Sequence, residues 1–319
     1  VTVAGAAPDS HRLPVTRRSM WCVDSRVLLT RVRAGASRRG GRSRRAQRQV
    51  GGGGSCDPAC ANDLKSVVDC HGQLLTPCTV DQGCSNAECI NDPCKAAEES
   101  HSSYGCDYYA LKTAQRVQAD GACFAAFVAN TWGKPVHLKV DRGGLDLPTE
   151  TFAYIPTVQG QTVTYAPYDA VAGLGVGQVA ILFLSRQSLG GATVVDCPKP
   201  AAINKESGVH GTGLGTAFHI TSDVPVVAYQ IVPYGGAQAY VTSATLLLPT
   251  SSWDTNYIAI NAYQSSDPMI PNGNPSLDIL AYQDNTEVTI LPKADIVAGT
   301  NVDPAPAGMS KKYTLNAGQ

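Results

Sequence analysis

Methionine, phenylalanine and histidine are scarce in this 319-residue chain, which holds 3 Met, 5 Phe and 6 His. No two cysteines stand in a C-x2-C pair. A structural zinc site of paired knuckles and a dithiol redox centre both need that spacing, so neither is expected. No run approaches the roughly 18 apolar residues of a membrane-spanning helix. The nearest match to a secretory core, "WCVDSRVLLTRV", is interrupted by Asp24, Arg26 and Arg31, and "GGGSC" has no apolar run ahead of it as a lipobox would. There is no G-x-S-x-G elbow. The runs "GLGVGQ" and "GTGLGTAF" lie between strand-like segments, so they read as turns rather than phosphate loops. His210 and His219 flank the second run at a spacing that suits no metal motif.

Charge is unevenly placed. Residues 1–55 hold twelve Arg, no Lys and only Asp9 and Asp24, a balance of +10 that leaves -11 for the rest of a chain whose net charge is -1. The Arg/Gly-rich leader is too charged to bury anything and reads as disordered. An acidic body is a poor match for phosphate, so nucleic acid is not an expected partner.

Of eleven cysteines, eight fall between Cys56 and Cys106: Cys56, Cys60, Cys70, Cys78, Cys84, Cys89, Cys94 and Cys106. Packed among Asp, Asn, Gly and Pro, they mark a loop-rich module held by disulfides in place of an apolar core. Cys94 and Cys106 flank one short polar segment, "KAAEESHSSYG", with room for a helical turn, and are expected to pair. Cys123 and Cys197 are expected to bridge two strands, or a strand and a loop. Such chemistry places the protein outside the cell.

Beyond Asp107 the chain consists of short β-branched and aromatic runs separated by Gly, Pro, Asn and Asp. These include "ACFAAFVAN", "KPVHLKV", "TFAYIP", "QTVTYAP", "VAILFLS", "GTAFHIT", "VPVVAYQIV", "ATLLLPT", "NYIAINAYQ", "LDILAYQ", "TEVTILP" and "KYTLNA". About a dozen strands at near-regular spacing predict an all-β sandwich. "VAILFLS" and "VPVVAYQIV" are apolar on both faces and are expected at the centre of a sheet. In "KPVHLKV", Val136, Leu138 and Val140 should face inward, with His137 and Lys139 in water. Asn130-Thr131 is echoed by Asn285-Thr286, and Gly160-Gln161 by Gly318-Gln319, at a near-constant offset. The echoes predict one β-sandwich followed by the opening strands of a second, truncated unit. The expected division is a leader (1–55), a disulfide module (56–106), a β-sandwich (107–280) and the start of a second β-unit (281–319).

Most carboxylates, including Asp223, Asp254, Asp284 and Glu287, sit at turn positions, where capping accounts for them. "TSSWDTN" and "YGGAQAY" are the distinctive loops. Trp253, Tyr234 and Tyr240 within or beside them are the candidate ligand contacts, with packing as the competing role for Trp253. No catalytic residue, metal or cofactor is expected.

The segments "GCDYYA", "GACFAAFVANTW", "GTAFHITSDVPVVAYQIVPYGG", "ATLLLPTSSWDTNYIAINAY" and "LDILAYQDNTEVTIL" occur in this order. Together they resemble the IgG Fc-binding protein N-terminal domain family in its secreted bacterial form. The resemblance implies a non-enzymatic extracellular binding or adhesion module whose partner is a protein or a glycan. The alternatives are a polysaccharide hydrolase, which requires two convergent carboxylates, and a structural stalk.

Overall fold

A computed structural model describes residues 2–4, 57–113, 120–187, 196–235, 242–260 and 276–319. Strand β1 (Thr2–Ala4) pairs with β16 (Ser276–Asp278). The cysteine-rich segment forms a three-stranded sheet, β2 (Ala59–Cys60), β3 (Ser66–Val68) and β4 (Leu74–Pro77), and a hairpin, β5 (Gly83–Ser85) with β6 (Glu88–Ile90). Disulfides Cys60–Cys84, Cys78–Cys89 and Cys94–Cys106 staple it, and Cys70 is disulfide-bonded as well. Cys56 lies outside the described residues.

The polar segment after Cys94 forms more than one turn. Helix α1 (Pro93–Ser100) starts where Asp92 accepts a hydrogen bond from the Lys95 N–H and Pro93 supplies a preset φ. It stops at His101, which is left-handed at φ 48°. Of its buried residues Pro93, Ala96 and Ala97, the two alanines are small enough to lie close to β5, where a Cβ on Gly83 would come within 2.6 Å of Ala96 Cβ.

The body is one nine-stranded antiparallel sheet. Its strands are β7 (Gly105–Ala110), β8 (Phe124–Ala129), β9 (Leu138–Arg142), β10 (Leu145–Leu147), β11 (Ala153–Gln159), β12 (Thr162–Pro167), β13 (Val179–Ser185), β14 (Phe218–Val232) and β15 (Ser243–Leu247). The sheet turns along β14. The first half of β14 lies between β7 and β9, and its second half between β8 and β15. "GTAFHIT" and "VPVVAYQIV" are therefore one strand rather than two. Pro225 cannot donate to a ladder, but it falls where the pairing with β7 skips from Thr221 to Val226 and the pairing with β9 has ended at Ser222. A proline at that irregularity lets the strand pass from one half of the sheet to the other.

Even-numbered residues of β14 turn inward along its length: Phe218, Ile220, Val224, Val226 and Ala228 are all at most 1% exposed. They join Tyr108, Phe124, Val128, Val140, Phe152, Leu182 and Leu184 in one core between the two halves. Val136, Leu138 and Val140 are buried while His137 and Lys139 are exposed, as the alternation requires. Each fully buried side chain of this size stabilises by roughly 1.5–3 kcal/mol relative to exposure. Leu64 and Ala97 from the cysteine-rich segment belong to the same core. Trp132, 2% exposed, donates from Nε1 to the Val80 carbonyl at 2.8 Å, tying the body to that segment.

β8 and β13 are apolar on their outer face too. Ala125, Ile181 and Phe183 pack there with the Cys123–Cys197 disulfide in a second cluster. A third cluster, Ala281, Ile296, Val302, Ala305 and Leu315, surrounds the hairpin of β17 (Thr286–Ile290) and β18 (Lys311–Leu315). The hairpin region docks on the body through Ala217 N–H to Gly318 O and Thr300 N–H to Thr212 O. Gly160 and Gly318 of the echoed pairs share a left-handed turn, at φ 63° and 76°. The echoed asparagines do not match: Asn130 is buried, whereas Asn285 sits left-handed in an exposed turn. Residues 256–260 of "NYIAINAYQ" form no strand, and Tyr257, Ile258 and Ile260 are exposed. "LDILAYQ" is a strand only as far as Asp278.

Candidate functional site

Tyr109 on β7 stands directly opposite His219 on β14, which stands opposite Asp141 on β9. Alternation turns Tyr108 into the core, where its hydroxyl donates to Val226 O at 2.7 Å, and leaves Tyr109 and Asp107 on the outer face. The row is closely knit. His219 Nδ1 lies 2.8 Å from Asp141 Oδ2, and its Nε2 lies 3.2 Å from Asp107 Oδ1. Its ring stacks on Tyr109 with centroids 4.5 Å apart and planes 14° from parallel. The Asp107 hydrogen bond is the chief reason the imidazole is held above its ordinary value, against the opposing effect of burial. Burial, and then the charges of Asp107, Asp141 and Asp284, push the Tyr109 phenol up.

The aromatic row continues into the C-terminal region. Trp253 lies 5.9 Å from Tyr109, and Tyr282 meets Trp253 edge-on at 5.9 Å and 89°. Trp253 follows a 3-10 turn, Thr250–Ser252, and donates from Nε1 to Leu248 O at 3.1 Å. Ser252 Oγ donates to Ser102 O at 2.6 Å, and His101 Nδ1 contacts Ser251 O, so the turn is fastened to the segment after α1. Gly105 permits this approach, because a Cβ there would stand 2.4 Å from Pro249 Cβ.

Between the helix and this turn lies a cavity of about 370 Å³. One wall carries Asp92, Lys95 and Glu98 from the helix and its cap, and the floor carries the Cys94–Cys106 disulfide and Gly105. Asp107, Pro249, Thr250, Ser251 and Tyr282 complete it. Tyr282 is 48% exposed. The arrangement offers an aromatic face beside hydrogen-bonding groups of both kinds, which suits recognition. Asp107 and Asp141 converge on one imidazole, and among the described residues no group of three or more His, Cys, Asp or Glu is arranged to hold a metal.

Of the aromatic residues singled out in the sequence that the structure describes, Trp253 belongs to this wall and Tyr234 does not. Trp253 is half-buried, packing on Tyr109 while also bordering the exposed Tyr282. Tyr234 lies past the far end of β14, on the outer cluster. Its hydroxyl is 2.8 Å from that of Tyr165, and its ring meets Phe183 edge-on at 5.2 Å. Burial pushes its phenol well up. Tyr240 lies outside the described residues. Tyr109, His219, Asp107, Asp141 and Tyr282 escaped sequence reasoning. A polar pair such as Asp107 and His219, 112 residues apart, has no local pattern; the usable signal was tyrosine beside aspartate in "GCDYYA". Asp284 and Glu287 serve the fold, with Asp284 accepting from Ala317 N–H and Glu287 pairing with Lys312.

Among the described residues no helix is long and apolar enough to cross a membrane. No curated protein and no solved structure matches the chain. Residues 243–319, which supply Pro249, Thr250, Ser251, Trp253 and Tyr282 to the wall and cavity, match the family described as IgGFc binding protein.

Proposed function

We propose that the protein is an extracellular, non-enzymatic binding or adhesion module that engages its partner at the junction of helix α1, the Thr250–Ser252 turn and Tyr282. The observation that carries this reading is the aromatic wall bordering an open cavity, built in part by the segment that matches the binding-protein family. The dense disulfides support an oxidising, extracellular setting. Rigid strands hold Tyr109 and His219, and a disulfide-anchored helix holds the opposite rim, so the site is preorganised for a ligand.

The test is the whole oxidised chain on arrays of extracellular proteins and glycans. A retained ligand whose binding falls at least tenfold in Trp253→Ala, but not in Tyr234→Ala, is the expected result. Absence of any ligand, or binding that survives both Trp253→Ala and Tyr282→Ala, overturns it.

A further inference from the structure

Resting on that reading, we infer that the cavity beside Tyr282 takes the neutral sugar end of a glycan. Its volume of about 370 Å³ lies at the lower end of the range for small-ligand clefts. The lining pairs one exposed aromatic ring with several polar groups, the combination a pyranose needs for its C–H face and its hydroxyls. Thr250 and Ser251 add hydroxyls, Lys95 adds an ammonium donor, and Asp92, Glu98 and Asp107 add acceptors.

The charge arrangement selects among ligands. Each carboxylate already has a partner: Asp92 caps the helix at Lys95 N–H, Glu98 meets Lys95 Nζ at 3.2 Å, and Asp107 meets His219. These partners leave lone pairs open on the carboxylates, which can accept hydrogen bonds from hydroxyl groups. An anionic sugar meets three carboxylates against one ammonium and is repelled. An apolar ligand leaves the polar lining unpaired, which costs binding energy. A neutral saccharide brings hydroxyl donors to the carboxylates, hydroxyl acceptors to Lys95 and a C–H face to Tyr282.

The experiment titrates the full oxidised chain with glucose, galactose, mannose and N-acetylglucosamine, following tryptophan fluorescence and calorimetry. Glucuronic acid and N-acetyl-arginine amide serve as charged controls. At least one neutral sugar is expected to bind at least tenfold more tightly than glucuronic acid, and to lose at least tenfold in Tyr282→Ala. The exposed position of Tyr282 leaves folding intact, and Glu98→Gln on the helix provides a second variant that weakens the same sugar. Failure of every neutral sugar, or binding indifferent to both variants, overturns the inference. Binding of the arginine amide alone, or a protein ligand on the array displaced by Tyr282→Ala without any sugar, overturns the sugar assignment and leaves the binding-module reading standing.

Discussion

The cysteine-rich segment and the β-sheet body solve the same stability problem by different means. Between residues 57 and 106 the strands are two to four residues long, and disulfides close loops with separations of 24, 11 and 12 residues. Its apolar contribution is small: Leu64 and Ala97 reach into a core that the body provides. The body has strands of up to 15 residues, a continuous buried cluster and a single bridge of separation 74. The difference teaches that covalent closure stands in where chain entropy cannot be offset by buried area.

The largest effect that tests this contrast is loss of the Cys123–Cys197 bridge. Chain entropy assigns that closure about 4.5 kcal/mol, and the double alanine variant should lose about that much in denaturant unfolding while still giving one cooperative, native-like transition. A fragmented transition would show that the body, too, depends on its staple. Trp132→Ala comes next. It should cost about 3–5 kcal/mol as a large buried truncation, and it should also expose the region around Val80 to proteolysis, because the ring holds both parts together. Third, replacing Cys94 and Cys106 by alanine should cost about 3 kcal/mol. Hydrogen exchange would report the loss in α1 before any change in β8 or β13. Exchange spread evenly over both regions would erase the distinction.

The smallest effect concerns the His219 clamp inside the body, where it joins β14 to β7 and β9. His219 titrates in the fold above its ordinary value near 6.5 because Asp107 and then Asp141 favour its charged form. A raised folded value means its contribution is complete below about pH 6.5 and disappears as pH rises through the folded value. The melting temperature of the intact chain minus that of His219→Gln should therefore be largest in mild acid and shrink toward alkaline pH. A difference that grows with pH would show that the imidazole is bound as the neutral form.

Local chemistry was enough for several features. The alternation in "KPVHLKV" placed Val136, Leu138 and Val140 inside, and the doubly apolar "VAILFLS" found the centre of a sheet. Cys94 and Cys106 could be paired because one short segment separates them. Where a local rule met a tertiary exception, reading stopped. "GTAFHIT" and "VPVVAYQIV" looked like two strands, but they are one, with Pro225 at a ladder irregularity inside it. The apolar run at Tyr257 and Ile258 looked like a strand, but its described residues find no ladder partner.

The sequence by itself determined the all-β class and the disulfide-dependent segment, since residue alternation and cysteine density act over a few neighbours. Only the tertiary structure decided the aromatic wall, because Tyr109, His219, Asp141, Trp253 and Tyr282 come from five separate stretches. Antiparallel register lines up the first three and a glycine contact brings in the turn that carries the fourth. Register is a property of paired strands, so no single stretch of sequence encodes it.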